Sequence, residues 1–282
     1  MIGRNFKAAK SIQLLILGLV ASAAASPHGP LHEQIAKVTK EIGKDPLDAS
    51  LYLKRGNLHR FHEDWQAAVS DYDSVEILDP GLDQVDLARG MTMLDAGWYD
   101  QAVPPLNRFL KKHSEHPTAL VTRARVLAKL GENLKAAQDY TAAIKYATRR
   151  TPEYYLERAQ VLAAAGSSHV DEALHGLEEG MQNLGPIVTL QLYAINLEAE
   201  SQRYDDALAR LDEIVAKSPR KEKWLMRRGK ILTKAGRFDE ARSAFTDALK
   251  EIESLSERRR NTKFILRLKN QLLAAIQQLP AH

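Results

Sequence analysis

Two histidine pairs are the first place to look for chemistry in this 282-residue chain. His59 and His62 lie three apart beside Glu63, and His113 and His116 are spaced the same way. Either pair could reach a common metal ion, but a tetrahedral site needs a third and fourth ligand at fitting spacing, and none can be read here. Cysteine is absent, which excludes a disulfide framework, a thiolate metal site and a cysteine nucleophile. There is no glycine-rich phosphate loop, no G-x-S-x-G elbow and no H-E-x-x-H. Carboxylates are plentiful, yet no pair stands out as a general acid and base. The expectation is a protein that is not an enzyme and needs no metal or cofactor.

A second group of residues points to binding instead. Lys223, Arg227, Lys230 and Lys234 are spaced by 4, 3 and 4, which puts them on one stripe of one helix. They sit in the basic part of an uneven chain. Residues 26–216 carry 20 basic and 29 acidic side chains, a net of −9, whereas residues 217–270 carry 17 and 7, a net of +10. Such a field steers an acidic partner, and salt weakens it. An ordinary solvated face is the competing reading of the stripe. Nucleic acid is not expected as the partner, because no recognisable nucleic-acid motif accompanies the charge.

The elements that position these residues are repeats. From Tyr52 to Pro80 the chain places a small residue four after an aromatic, then another small residue twelve later, an aromatic four further on, and a closing proline. The first small slot recurs at Gly56, Gly90, Ala124, Ala159, Ile195 and Gly229, and the second at Ala68, Ala102, Ala136, Ala173, Ala207 and Ala241. Steps of 34 residues dominate, stretched to 35, 36 or 37 around the fourth unit. This grammar resembles the tetratricopeptide repeat, a helix-turn-helix unit.

The resemblance covers roughly residues 31–252. It implies an all-α fold, a right-handed α-solenoid of about six units with a leading half-repeat and a terminal capping helix. The units are expected at about 48–82, 83–117, 118–152, 153–186, 187–220 and 221–253, after a half-repeat helix at 31–47. Small residues let the two helices of a unit approach closely, and large ones such as Tyr52, Trp65 and Tyr72 fill the space around them. Gly97, Gly131, Gly166 and Gly236 fall where a first helix ends in a left-handed turn. Arg55 with Asp71 and Arg123 with Asp139 are expected to meet across their hairpins as exposed ion pairs contributing ~0–1 kcal/mol each. Pro104 and Pro105 should delay or kink the second helix of the second unit. In the fourth unit Gly180 fills a packing slot, while Gly176 has no evident purpose.

The resemblance also implies function. Arrays of this family typically hold a peptide or extended segment of another protein against the inner face of their first helices. That face would present Leu53 and Asn57 from the first unit, Leu87, Met91 and Leu94 from the second, Val121 and Arg125 from the third, and the Lys223, Arg227, Lys230 and Lys234 stripe from the sixth. A groove apolar at one end and basic at the other suits a partner with apolar anchors and an acidic stretch or free C-terminus. The carboxylate clamp of some family members matches at Lys223 and Arg227 only; Leu156, Gln160 and Tyr193 stand where lysine and asparagine are required.

The ends read differently. Arg4, Lys7 and Lys10 precede the apolar run SIQLLILGLV and the small residues ASAAAS, the pattern of an export signal over residues 1–25, cleaved after Ala23 or Ala25. The run is shorter than the ~20 residues a spanning helix needs. A periplasmic or extracellular location follows, with residues 26–30 as a flexible lead-in. At the other end, Ser254 and Glu257 form a capping box for one last helix over 254–282. Its Ile265, Leu268, Leu272, Ile276 and Leu279 face one side, and Arg258, Arg259, Arg260, Lys263, Arg267 and Lys269 crowd its first half. Covering the last unit is one use for it, and docking on an anionic membrane surface is the alternative.

Overall fold

The computed structural model describes residues 29–280. The export signal, its two cleavage points and residues 26–28 of the lead-in lie outside the described residues. Helix α1 (Gly29–Ile42) already takes in residues 29 and 30, which the lead-in was expected to hold. Six hairpins follow: α2 (Ala49–Phe61) with α3 (Trp65–Leu78), α4 (Gln84–Asp95) with α5 (Tyr99–Lys112), and α6 (Pro117–Lys129) with α7 (Asn133–Tyr146). Then come α8 (Pro152–Ala165) with α9 (Val170–Leu184), α10 (Val188–Glu200) with α11 (Tyr204–Lys217), and α12 (Glu222–Lys234) with α13 (Phe238–Glu253). A four-residue α14 (Glu257–Arg260) and α15 (Lys263–Gln278) close the array. No strand occurs among the described residues.

Close approach decides the hairpin geometry. All six alanines of the second small slot are 0 % exposed. A Cβ on Gly56 would come within 2.5 Å of Tyr72, one on Gly90 within 2.4 Å of Leu106, and one on Gly229 within 2.3 Å of Phe245. Those distances are far inside van der Waals contact, so the partner ring or leucine occupies the space a side chain would need. Five hairpins turn the same way, with a backbone N–H reaching back five residues, as from Trp98 to Met93 at 2.8 Å and from Arg237 to Leu232 at 2.9 Å. Gly97, Gly131 and Gly236 hold the positive-φ position of this turn, but Glu63 and Gln202 hold it in the first and fifth hairpins, at φ 63° and 62°. Glycine spacing alone misses those two.

Units join through the second helix of one and the first helix of the next, and first helices also lie side by side in α2 with α4, α4 with α6, and α8 with α10. The result is an α-solenoid. Among the described residues no helix is long and apolar enough to cross a membrane.

Three local expectations need correcting. Helix α5 does not start late: it begins at Tyr99 in register and carries Pro104 and Pro105 inside it. The carbonyls those prolines leave unbonded belong to Asp100 and Gln101, both exposed, where water can satisfy them. Gly176 has a purpose: a Cβ there would sit 2.9 Å from the Arg158 guanidinium, which lies over this glycine. The terminal segment is two helices, because Ser254 ends α13 and Thr262 starts α15, its hydroxyl accepting from the Ile265 N–H at 3.4 Å. Ile265, Leu268, Leu272 and Leu279 are buried with Phe245 and Ile252, so the apolar side of α15 covers α13.

Candidate functional site

Most cations of the first helices are already committed to carboxylates. The position just before the first small slot is arginine in five of the six units: Arg55, Arg89, Arg123, Arg158 and Arg228. Arg55 reaches forward across its hairpin to Asp71 with two bonds of 2.9 and 2.6 Å, and Arg123 reaches Asp139 with two of 2.7 Å. These pairs are not the exposed trim expected of them, since Asp71 and Asp139 are 4 % and 7 % exposed. Where the forward position is Pro105 or Ala244, the arginine turns back instead. Arg89 bonds Asp73 at 2.7 Å and Arg228 bonds Asp212 at 3.0 Å, each in the preceding unit. The fifth unit inverts the arrangement: Ala194 replaces the arginine, and Arg210 of α11 pairs with the buried Glu198 of α10 at 2.9 Å.

The histidines are similarly occupied. His113 Nε2 lies 2.8 Å from Asp83, holding that carboxyl below its ordinary range. His116 caps α6, its Nδ1 accepting from the Ala119 N–H at 3.2 Å. His59 faces Asp64 at 3.6 Å, while His62 turns away to His32 at 3.1 Å. Neither pair converges on one point.

The apolar end of the expected groove is shared between packing and open surface. Leu53, Leu87 and Leu94 pack against core clusters, and Met91 is half-buried. Asn57 accepts a bond from the Tyr72 hydroxyl at 3.1 Å. Val121 is 4 % exposed and belongs to the core, so it presents nothing to a partner. Arg125 is held by Glu157 of the next unit at 2.9 and 3.0 Å.

The basic end is different. Lys223, Arg227, Lys230 and Lys234 line one cleft of about 340 Å³ between α10 and α12, together with Asn196, Glu200, Met226 and Ile231. Arg227 donates to the side-chain oxygen of Asn196, an amide and not an anion. Burial lowers the Arg227 pKa, whereas carboxylate hydrogen bonds raise those of Arg55, Arg108, Arg203 and Arg237. Among the described residues, none of Lys223, Lys230 and Lys234 forms a salt bridge; Glu200 is the carboxylate lining the cleft. Asn196 was missed from sequence, although register could have found it. It stands one place past Ile195, as Lys230 stands one place past Gly229.

The contact between Asn196 and Arg227 is the counterpart of that between Arg125 and Glu157, with the arginine on the other unit and the carboxylate replaced by an amide. An ion pair that closes the α6–α8 seam thus becomes, at the α10–α12 seam, a partly desolvated cation that among the described residues forms no salt bridge. Chemically, the cleft can bind an anion. It holds no nucleophile paired with a base.

Comparison with known proteins agrees with this architecture. A family described as "Tetratricopeptide repeat-like domain" matches residues 155–274, and one described as "Tetratricopeptide repeat" matches 87–145 and 121–174. Human tetratricopeptide repeat protein 16 is 28% identical over 130 residues, 41% of this chain but 15% of the human protein's length. Two solved structures share the fold. The C-terminal part of a repeat-containing protein from Cytophaga hutchinsonii aligns over 82% of this chain and 93% of its own, at 13% identity and a TM-score of 0.64. A tetratricopeptide repeat protein from Parabacteroides merdae aligns over 87% and 93%, at 18% identity and 0.53. Register, packing slots and matched families lead to one assignment: the chain belongs to the tetratricopeptide-repeat proteins.

Proposed function

We propose that this chain is an exported scaffold without catalytic activity, and that it binds an acidic segment of another protein in the cleft between α10 and α12. Tetratricopeptide-repeat proteins bind other proteins and are generally non-catalytic. The observation that carries the reading is Arg227, half-buried against an amide beside three lysines that pair with no carboxylate. A cation taken partly out of water without a counter-charge costs free energy that a bound carboxylate returns. The export part rests on Arg4, Lys7 and Lys10 ahead of the apolar run, and fractionation of the producing cells checks it.

A labelled polyglutamate peptide supplies the test for the cleft. The triple variant Lys223→Glu, Lys230→Glu, Lys234→Glu should keep its helical circular dichroism and bind the peptide at least about tenfold more weakly, ~1.4 kcal/mol. Equal affinity in both proteins would remove the cleft from the binding site. The alternative is docking of the terminal helix on a membrane surface: Ile265, Leu268 and Leu272 of α15 are buried with the last unit, while Phe264, Leu266 and Leu273 stay exposed.

A further inference from the structure

The basic cleft does not end at Lys223. On the other side of this lysine lies a second recess of about 300 Å³, lined by Ser218, Pro219, Arg220, Glu222, Trp224 and Phe264. Phe264 comes from α15, outside the repeats, and is 60 % exposed. Trp224 is half-buried, packed against the C-terminal core, and the Lys223 ammonium sits 4.9 Å from the centroid of its ring. Glu222 is 3 % exposed and its carboxylate is met by Arg220, so the recess brings little uncompensated negative charge of its own. An exposed phenylalanine beside a tryptophan is an apolar surface that a soluble chain gains by covering.

We infer that the acidic segment carries a bulky apolar side chain next to its carboxylates, and that this side chain seats between Trp224 and Phe264 while the carboxylates lie along Lys223, Arg227 and Lys230. The inference rests on the cleft reading above and adds the second half of the ligand. Shared use of Lys223 by the two recesses sets the order, apolar group and acid side by side. Charge selects the class of partner, since the surrounding chain from 217 to 270 has a net charge of +10. A recessed cleft favours an extended peptide over a flat bilayer, which meets protruding cations first.

Three fluorescein-labelled peptides test it: one with four glutamates around a phenylalanine, one with serine in place of the phenylalanine, and one with glutamines in place of the glutamates. The native chain should bind the first about tenfold tighter than the second, as expected for one buried aromatic group, and the third hardly at all. In Phe264→Ser, a change at an exposed position, the advantage of phenylalanine should vanish while affinity for the serine peptide stays the same. Emission from Trp224 should shift to shorter wavelength only with the phenylalanine peptide. Equal affinity of the first two peptides for the native chain would overturn the seat and leave the cleft standing. Failure of every acidic peptide to bind would overturn both. Phosphatidylserine vesicles that carry the native chain but not Phe264→Ser would overturn the seat by reassigning the surface to a bilayer.

Discussion

A carboxylate held between two packed helices is worth more than its distance to the nearest arginine suggests. Asp139 accepts two bonds from Arg123 while 7 % exposed, and the same guanidinium reaches Asn107 at 2.8 Å. Taking away the carboxylate leaves a half-buried cation short of two acceptors. Asp139→Ala should therefore cost about 1–3 kcal/mol. Arg108 is 52% exposed where it meets Asp86, so Arg108→Ala should cost less than ~1 kcal/mol. Urea midpoints compare the two, and equal shifts would show that burial does not set the strength of these pairs. The pairing rule explains why the sequence misled here. Arg55 and Arg123 announce their partners sixteen places ahead, but Pro105 and Ala244 send Arg89 and Arg228 backwards, and only the stacking of units shows where they go.

The helices were the most legible feature of the chain, because each is written twice, in its apolar period and in its place in a repeat. Small slots at Gly56, Gly90 and Gly229 are fixed by steric need, so they read directly from sequence. Turns were half legible: glycine marks three of the five like turns, while Glu63 and Gln202 adopt the same backbone without a sequence signal. Helix α5 shows the limit of local rules, since packing of Ala102, Leu106 and Phe109 holds it helical through two prolines. The terminal helices illustrate the same competition. Removing residues 254–282 would bare Phe245 and Ile252, now 1 % and 2 % exposed. In a stack where each unit touches only its neighbours, the loss should spread inward from that end. Hydrogen exchange in α12 and α13 should quicken first, with α6 and α7 nearly unchanged. Uniform quickening along the chain would contradict a nearest-neighbour stack.

At the scale of the molecule, two uses of charge divide the array. Along the first helices from α2 to α8 most cations are held by carboxylates that close seams and hairpins; at the α10–α12 seam an amide takes the carboxylate's place and cations are left over. The stripe of Lys223, Arg227, Lys230 and Lys234 was legible as a helical spacing. Its cleft was not, because the opposite wall comes from Asn196 and Glu200, a repeat earlier. In the apolar half of the expected groove Val121 is buried, whereas Leu53, Leu87, Met91 and Leu94 are half-buried, because an apolar side chain on a first helix also packs into the core of the array. Nuclear magnetic resonance of the isotope-labelled chain, titrated with a polyglutamate peptide at low and high salt, tests most directly whether that seam is the binding surface. The expected result is shift changes confined to α10 and α12, centred on Asn196, Arg227 and Lys230 and fading as salt is raised. Changes that fall on α11 and α13 instead, or that do not respond to salt, would contradict it.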